Sequence, residues 1–317
     1  MAEFKEPIEG YSLNRNKESV AQEIISKVGI VGCGLLGQEI ARLAASSGFE
    51  VVFIELSDEK ISQTLADIEK SFDHMIDRWE MTSGEKRSLM GRIAGSTNYE
   101  DLKGCDLVIE SIKSRTREDA VEIRKRIFKN VEEFVSEDCI IATNSTTLVI
   151  TELSADLKHP SRCVSMHFPS PASDTRVVEI VKSLYTTDRY YNKVCKFASM
   201  LGKKVAPVLE SPGLISTRLI APYINDACSL LLEGVATKED IDMTMKLGMG
   251  LPMGPLEMAD SFGLKRVTRW LDNLYNEFGD PRYKASPILR RMVRAKLLGK
   301  EVRKGFYTYT EDGVKIQ

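Results

Sequence analysis

Three histidines occur in the 317 residues, and one of them has neighbours that suggest acid–base chemistry. His167 directly follows the run Arg162-Cys163-Val164-Ser165-Met166 and opens His167-Phe168-Pro169-Ser170-Pro171. That run reads as a buried strand, which puts the imidazole at a strand's C-terminal end, the edge where doubly wound sheets bind ligands. Twelve positions on, Glu179 lies inside another apolar run, Val178-Glu179-Ile180-Val181. A buried carboxylate is costly unless it meets a cation or a hydrogen-bond donor. Pairing with His167 meets that need: Glu179 would fix the imidazole tautomer and favour its protonated form, while the other ring nitrogen faces a substrate proton. Spacing alone allows equally a His and a Glu that never meet. His74, in a helical stretch, and His159, beside Pro160 in a polar turn, read as solvated surface residues.

A second group of candidates is the turn Thr143-Asn144-Ser145-Thr146-Thr147, after the apolar Cys139-Ile140-Ile141-Ala142. Such a cluster caps a following helix as readily as it donates hydrogen bonds to a substrate oxygen at the sheet edge, and both readings stand.

A cofactor is implied by residues 27–58. The apolar Val28 to Val31 leads through Gly32-Cys33-Gly34-Leu35-Leu36-Gly37 into a segment with Ile40, Leu43 and Ala44 at helical spacing. A second apolar run, Val51 to Ile54, ends in Glu55. Strand, glycine turn, helix and a carboxylate about twenty residues on form the dinucleotide fingerprint. The first glycine permits the turn, the second lets the backbone approach a pyrophosphate, and the third lets helix and strand pack closely, with phosphates on the helix N-terminus. Glu55 would accept from a ribose 2′-hydroxyl and repel a 2′-phosphate, and Leu56-Ser57 offer no arginine. NAD is expected rather than NADP.

The elements that must position these groups follow from periodicity. Residues 59–98 carry helical spacing through Ile61, Leu65, Ile68, Phe72, Met75, Ile76, Leu89 and Ile93, broken at Thr82-Ser83-Gly84. They predict a helical hairpin inserted between strands, either covering a ligand or packing as an appendage. Further strands are expected at 106–109, 139–142, 162–166, 177–181 and 204–208, with helices over 120–135 and 189–201. Alternation of this kind argues a mostly parallel sheet. From Leu214 on, Ile215, Leu219, Ile220, Ile224, Ala227, Cys228 and Leu231 repeat at helical spacing, followed by helices near 238–246 and 264–278.

The expected organisation is therefore a polar N-terminal extension at 1–26, a dinucleotide-binding α/β domain at 27–210 with its hairpin near 59–98, and an all-helical domain at 211–317. Net charge of −2 gives no electrostatic case for nucleic acid or an anionic membrane, and the apolar runs are too short to span a bilayer. Residues 1–26 lack an apolar signal core, so a cytoplasmic protein is expected. The six cysteines form no CxxC pair and read as reduced thiols; no metal site is expected.

Taken together, VGIVGCGLLGQEIA, DLVIES, TNSTTLVITELS, HFPSP followed by VVEIV, ATKEDIDMTMKLGMGLPMGPLEMAD and KGFYTY resemble the L-3-hydroxyacyl-CoA dehydrogenase (3-hydroxybutyryl-CoA dehydrogenase) family over nearly all of residues 27–309. The resemblance implies a Rossmann-type doubly wound domain, an all-α C-terminal domain that dimerises, and oxidation of a 3-hydroxyacyl thioester such as an acyl-CoA with NAD. It assigns His167 as the base, Glu179 as its orienting carboxylate, and Thr146 to the position of a family serine that binds the reacting oxygen, with Asn144 matching the turn asparagine. It implies Gly32, Gly34, Leu35, Leu36, Gly37, Glu55, Glu110 and Lys125 on the cofactor side, and Ser71 and Arg78 of the hairpin at the CoA. Departures accompany it. The family's HFFNP reads HFPSP here, placing Ser170 at a substrate-side asparagine. V-N-R-L has become Ser216-Thr217-Arg218-Leu219, placing Thr217 at another. Residues 111–119 are longer than the family turn, and the terminal G-K-K-T-G-x-G-F-Y has become Gly299 to Tyr307 with Glu301, Val302 and Arg303 inside it. The altered polar shell would suit a different hydroxy acid or a carrier-bound acyl group, and a non-catalytic NAD-binding relative is the remaining alternative.

Overall fold

A computed structural model describes residues 24–113, 117–169, 171–311 and 313–316. Most of the expected extension and Ser170 therefore lie outside the described residues, as does part of the 111–119 segment. Eight strands form one sheet: β1 (Lys27–Val31), β2 (Glu50–Ile54), β3 (Ile93–Ser96), β4 (Leu107–Glu110), β5 (Ile140–Thr143), β6 (Cys163–His167), β7 (Val177–Lys182) and β8 (Lys204–Val208). Their order is β3-β2-β1-β4-β5-β6-β7-β8, and every neighbouring pair is parallel except β6 with β7. The strands read as continuous apolar runs because helices cover both faces.

One face packs on α1 (Leu35–Ser46), α2 (Asp58–Asp77), α3 (Ser83–Met90) and α6 (Asp188–Met200), and buries Ile40, Ala44, Ile68, Phe72, Val194 and Phe197 with strand residues. The other packs on α4 (Arg117–Phe134) and the short α5 (Ile150–Ser154), through Phe128, Val131, Ile150 and Leu153. The hairpin is narrower than the sequence suggests. Ser57 caps α2, Thr82 and Glu85 form a reciprocal capping box on α3, and Trp79 between them has φ of 62°. Past Gly91 the chain becomes the edge strand β3, so Ile93 is a strand residue paired with Val51 rather than the helix's last apolar position.

The chain is helical from Ser216: α7 (Ser216–Leu232), α8 (Lys238–Met243), α9 (Pro255–Phe262), α10 (Leu264–Phe278) and α11 (Pro287–Arg294) enclose a separate core around Ile224, Leu256, Val267, Leu271 and Leu289. A two-stranded ribbon, β9 (Thr308–Tyr309) with β10 (Lys315–Ile316), closes the chain. The conspicuous KGFYTY stretch has a structural account here. Buried Asp260 accepts from the backbone N–H of Phe306 and Tyr307 and from the Tyr309 hydroxyl, while Asp242 accepts from the Tyr307 hydroxyl. These bonds tie the tail to α8 and α9. All six cysteines are unpaired, and no helix among the described residues is long and apolar enough to cross a membrane.

Candidate active site

A cavity of about 1160 Å³ runs along the C-terminal edge of the central strands and under α7, α9 and α10. His167 lines it as the last residue of β6. The antiparallel register sets His167 directly opposite Glu179, and their side chains approach to 3.7 Å between Nε2 and Oε2. The sequence could not decide this meeting, because it depends on β7 reversing direction.

Glu179 has other partners as well. Its Oε1 accepts from the backbone N–H of Ile215 and Ser216 at 3.0 and 2.9 Å, and its Oε2 accepts from the Ser216 hydroxyl at 2.8 Å. The buried carboxylate is thus satisfied chiefly by the start of α7. The imidazole is buried too, and its Nδ1 has no hydrogen-bond partner among the described residues. Burial pulls the His167 pKa from 6.5 down to about 4, with hydrogen bonding toward the Asn144 backbone opposing the shift in part and the charge of Arg266 adding to it. Desolvation therefore favours the neutral imidazole in the resting site.

The Thr143–Thr147 turn does not cap the next helix. α5 begins after Val149, with no side-chain cap. Instead the Thr143 hydroxyl donates to Glu110, Asn144 Oδ1 accepts from the Phe168 backbone, and the Thr147 hydroxyl accepts from Asn273 of α10. Asn144, Thr146 and buried Thr217 all line the cavity beside His167.

At the other end of the cavity stands the glycine turn. Gly32 has φ of 85°. A Cβ on Gly37 would lie 2.5 Å from the Gly32 carbonyl oxygen, so this glycine is required by close packing of helix on strand. A Cβ on Gly34 would meet nothing within 4 Å, so the space above it is open to a ligand. The first turn of α1 carries no acidic residue, leaving its N-terminus suited to a diphosphate. Leu35, Leu36 and Glu55 line the same end, with Glu55 accepting from the Cys33 backbone at 2.7 Å. These residues fit a dinucleotide with a free ribose 2′-hydroxyl.

Three expected positions are not brought to the cavity. Lys125 points to the far side of α4, where its Nζ is 3.3 Å from Asp156; the helix turns Arg124 inward instead. Ser71 and Arg78 lie on the hairpin outside the cavity lining, with Arg78 near Glu80. Glu110 lines the cavity, yet both its oxygens are engaged within the protein, by the Ile112 backbone, Arg124 and Thr143. It holds Arg124 and the strand ends in place. The sequence reading missed Arg124, Arg266, Arg269, Trp270 and Asn273, all on the cavity wall. On α10 the sequence marks only the core face, Leu264, Val267, Leu271 and Leu274, and the cavity shows that the neighbouring face is enclosed as well.

Comparison with known proteins agrees with this geometry. The family model for the 3-hydroxyacyl-CoA dehydrogenase NAD-binding domain matches residues 27–211, and that for the family's C-terminal domain matches residues 213–309. The 3-hydroxybutyryl-CoA dehydrogenase of Clostridioides difficile is 36% identical over 285 residues, covering 90% of this chain and all of the relative. Human mitochondrial hydroxyacyl-coenzyme A dehydrogenase is 30% identical over 299 residues, 92% of this chain and 93% of the relative. The crystal structure of (S)-3-hydroxybutyryl-CoA dehydrogenase from Ralstonia eutropha superposes with a TM-score of 0.82 at 37% identity, covering 90% of this chain and all of that one. A glycine turn shaped for NAD, a histidine at the sheet edge and family models spanning both halves of the molecule lead to one conclusion: the chain belongs to the 3-hydroxyacyl-CoA dehydrogenase family, an NAD-dependent oxidoreductase.

Proposed function

We propose that this protein oxidises a 3-hydroxyacyl thioester to the 3-oxoacyl thioester, with His167 as general base and Glu179 as the carboxylate that orients it. The observation that supports the reading is the register of β6 against β7, which sets Glu179 opposite His167, a residue that lines the same cavity as the dinucleotide turn. Gly32, Gly34, Leu35, Leu36 and Gly37 would hold the diphosphate of NAD and Glu55 its adenosine ribose. When bound, NAD would supply the hydride acceptor for C3. The neutral imidazole takes the hydroxyl proton, and the carboxylate 3.7 Å from Nε2 favours the imidazolium that results. Thr146, Asn144 and Thr217 surround the oxygen as it becomes a carbonyl, and the apolar Leu148, Phe262 and Trp270 limit water around it.

The helical region 211–317 completes the substrate site and, in this reading, forms a homodimer of a cytoplasmic enzyme. Ser71 and Arg78 remain candidates for CoA contacts beyond the cavity mouth. The test is turnover of a panel of 3-hydroxyacyl-CoAs with NAD by the wild type and His167→Ala. The variant is expected to lose about 10²- to 10⁴-fold in kcat while NADH affinity, read by fluorescence quenching, stays close to wild type. Equal kcat in the two proteins removes His167 from the mechanism.

A further inference from the structure

His167 and Glu179 stand on consecutive strands, so how they sit in the cavity depends on the connection between β6 and β7. Side chains from two distant parts of the chain grip that connection. Glu39, in the second turn of α1, accepts from the backbone N–H of Ala172. The buried ammonium of Lys203, just before β8, donates to the carbonyl oxygens of Ala172 and Thr175. Ala172 is thus held at its N–H by a carboxylate and at its C=O by an ammonium. Within the connection the N–H groups of Asp174 and Thr175 close onto the Pro171 carbonyl, and the Thr175 hydroxyl donates to the Pro169 carbonyl at 3.0 Å. Pro169 and Thr175 line the cavity with His167, whereas Glu39 and Lys203 stand outside the lining.

The grip is unfavourable for the groups that make it. Loss of hydration raises the carboxyl pKa of Glu39 and lowers the ammonium pKa of Lys203. Ala172 is fully buried, so its N–H and C=O require partners from within the protein. The partners they find belong to the elements that matter for catalysis. Glu39 lies two residues past Gly37, on the helix whose N-terminus faces the dinucleotide end of the cavity. Lys203 leads into β8, whose Ala206 pairs with Glu179.

Resting on the dehydrogenase reading above, we infer that Glu39 and Lys203 are positioning residues, which lock the β6–β7 connection to the dinucleotide helix and so fix His167 relative to the cofactor site. Neither touches the reacting atoms. They act through the backbone at Ala172 and Thr175, and from there through Pro169 and Phe168 to the imidazole. A general base works only within hydrogen-bond reach of the proton it takes. A misplacement of about 1 Å caused far from the chemistry can cost ~10²-fold in rate.

The experiment measures kcat with NAD on the best thioester of the panel above, NADH affinity by fluorescence quenching, and melting temperature. The variants are Glu39→Ala, Lys203→Met, the two combined, and Glu39→Gln, each assayed at a temperature where it is folded. Glu39→Ala and Lys203→Met should each lower kcat about 10- to 100-fold while NADH affinity stays within about twofold of wild type. The combined variant should fall no further than the slower single one, because both side chains act on one connection. Glu39→Gln retains an oxygen that accepts from Ala172 and should stay within about threefold of wild type. A purely structural role would lower the melting temperature and leave kcat unchanged, so a wild-type kcat in either folded single variant overturns the proposal. It is equally overturned if NADH affinity falls by the same factor as kcat, if the losses multiply in the combined variant, or if Glu39→Gln is as slow as Glu39→Ala. Absence of NAD reduction by the wild type removes the dehydrogenase reading and the proposal with it, a result distinct from slow variants beside an active parent. Should a variant fail to fold, Glu39→Asp or Lys203→Gln, which withdraw the polar atom with less loss of volume, takes its place with the same outcomes.

Discussion

Burial pulls His167 from 6.5 to about 4, and this direction fixes the sign of two pH effects. In the unfolded chain the ring takes up a proton below about 6.5, whereas in the folded protein it does so only near 4, so between these values the unfolded state binds more protons. The stability associated with a neutral His167 is therefore complete above pH 6.5 and is lost as the pH falls toward 4. Urea unfolding of wild type and His167→Asn should show a difference that is flat above pH 6.5 and shrinks steadily below it. Catalysis follows the same sign: kcat/KM for oxidation should show no acidic limb from His167 between pH 6 and 8, and a His-dependent limb centred near 7 would contradict the burial argument. Glu179 allows a cleaner separation of charge from anchoring. In Glu179→Gln the amide oxygen can still accept from Ile215 and Ser216 while the amide nitrogen donates to a reoriented Ser216 hydroxyl. Its stability is expected to stay within about 1 kcal/mol of wild type while kcat falls at least ~10-fold. Glu179→Leu leaves those donors buried without an acceptor and should cost about 3 kcal/mol or more in urea denaturation.

The glycine turn separates fold from ligand binding at the level of one element. Gly34→Ala adds a methyl group to open space, so its melting temperature should match wild type while NADH affinity falls at least ~10-fold through obstruction of the diphosphate. Gly37→Ala forces the methyl group against the Gly32 carbonyl, so thermal stability and NADH affinity should fall together. A melting curve and a fluorescence titration on each variant decide it. This turn was legible because every part of it is local: the strand, the three glycines and Glu55 follow one another within thirty residues of sequence. Pattern and structure part where local spacing and tertiary setting diverge. Ile93 falls four residues after Leu89 and mimics one more helical turn, but the chain has already passed Gly91 and joined the sheet edge. Lys125 was matched by resemblance, whereas the phase of α4 set by Ala120, Ile123 and Ile127 turns its neighbour Arg124 inward. Arg266 and Arg269 look like the solvent face of an amphipathic helix, and only the cavity beside α10 reveals that this face is also enclosed.

For the molecule as a whole, the helical half leaves Ile215, Leu219, Val235, Met243, Leu247 and Met249 about half exposed or more, an exposed apolar set of the kind that marks an interaction surface where it clusters. The proposed homodimer would bury it. Sedimentation equilibrium should give twice the chain mass at micromolar concentration, and Leu219→Glu combined with Leu247→Glu should yield monomer. A monomeric wild type would overturn the dimer. The hydrogen bonds from Ile215 and Ser216 to Glu179 have a consequence of another kind. The carboxylate opposite His167 is carried by the sheet and held by the first residues of the helical half, so in the proposed mechanism proton affinity at His167 would be linked to closure of the two halves. Loosening that joint would set the carboxylate adrift and make the imidazolium harder to form, so low urea should depress kcat well before any spectroscopic melting. Linkage is reciprocal: if closure favours the imidazolium, a proton on His167 favours closure by the same free energy, so in this reading the two halves hold each other most tightly until that proton leaves.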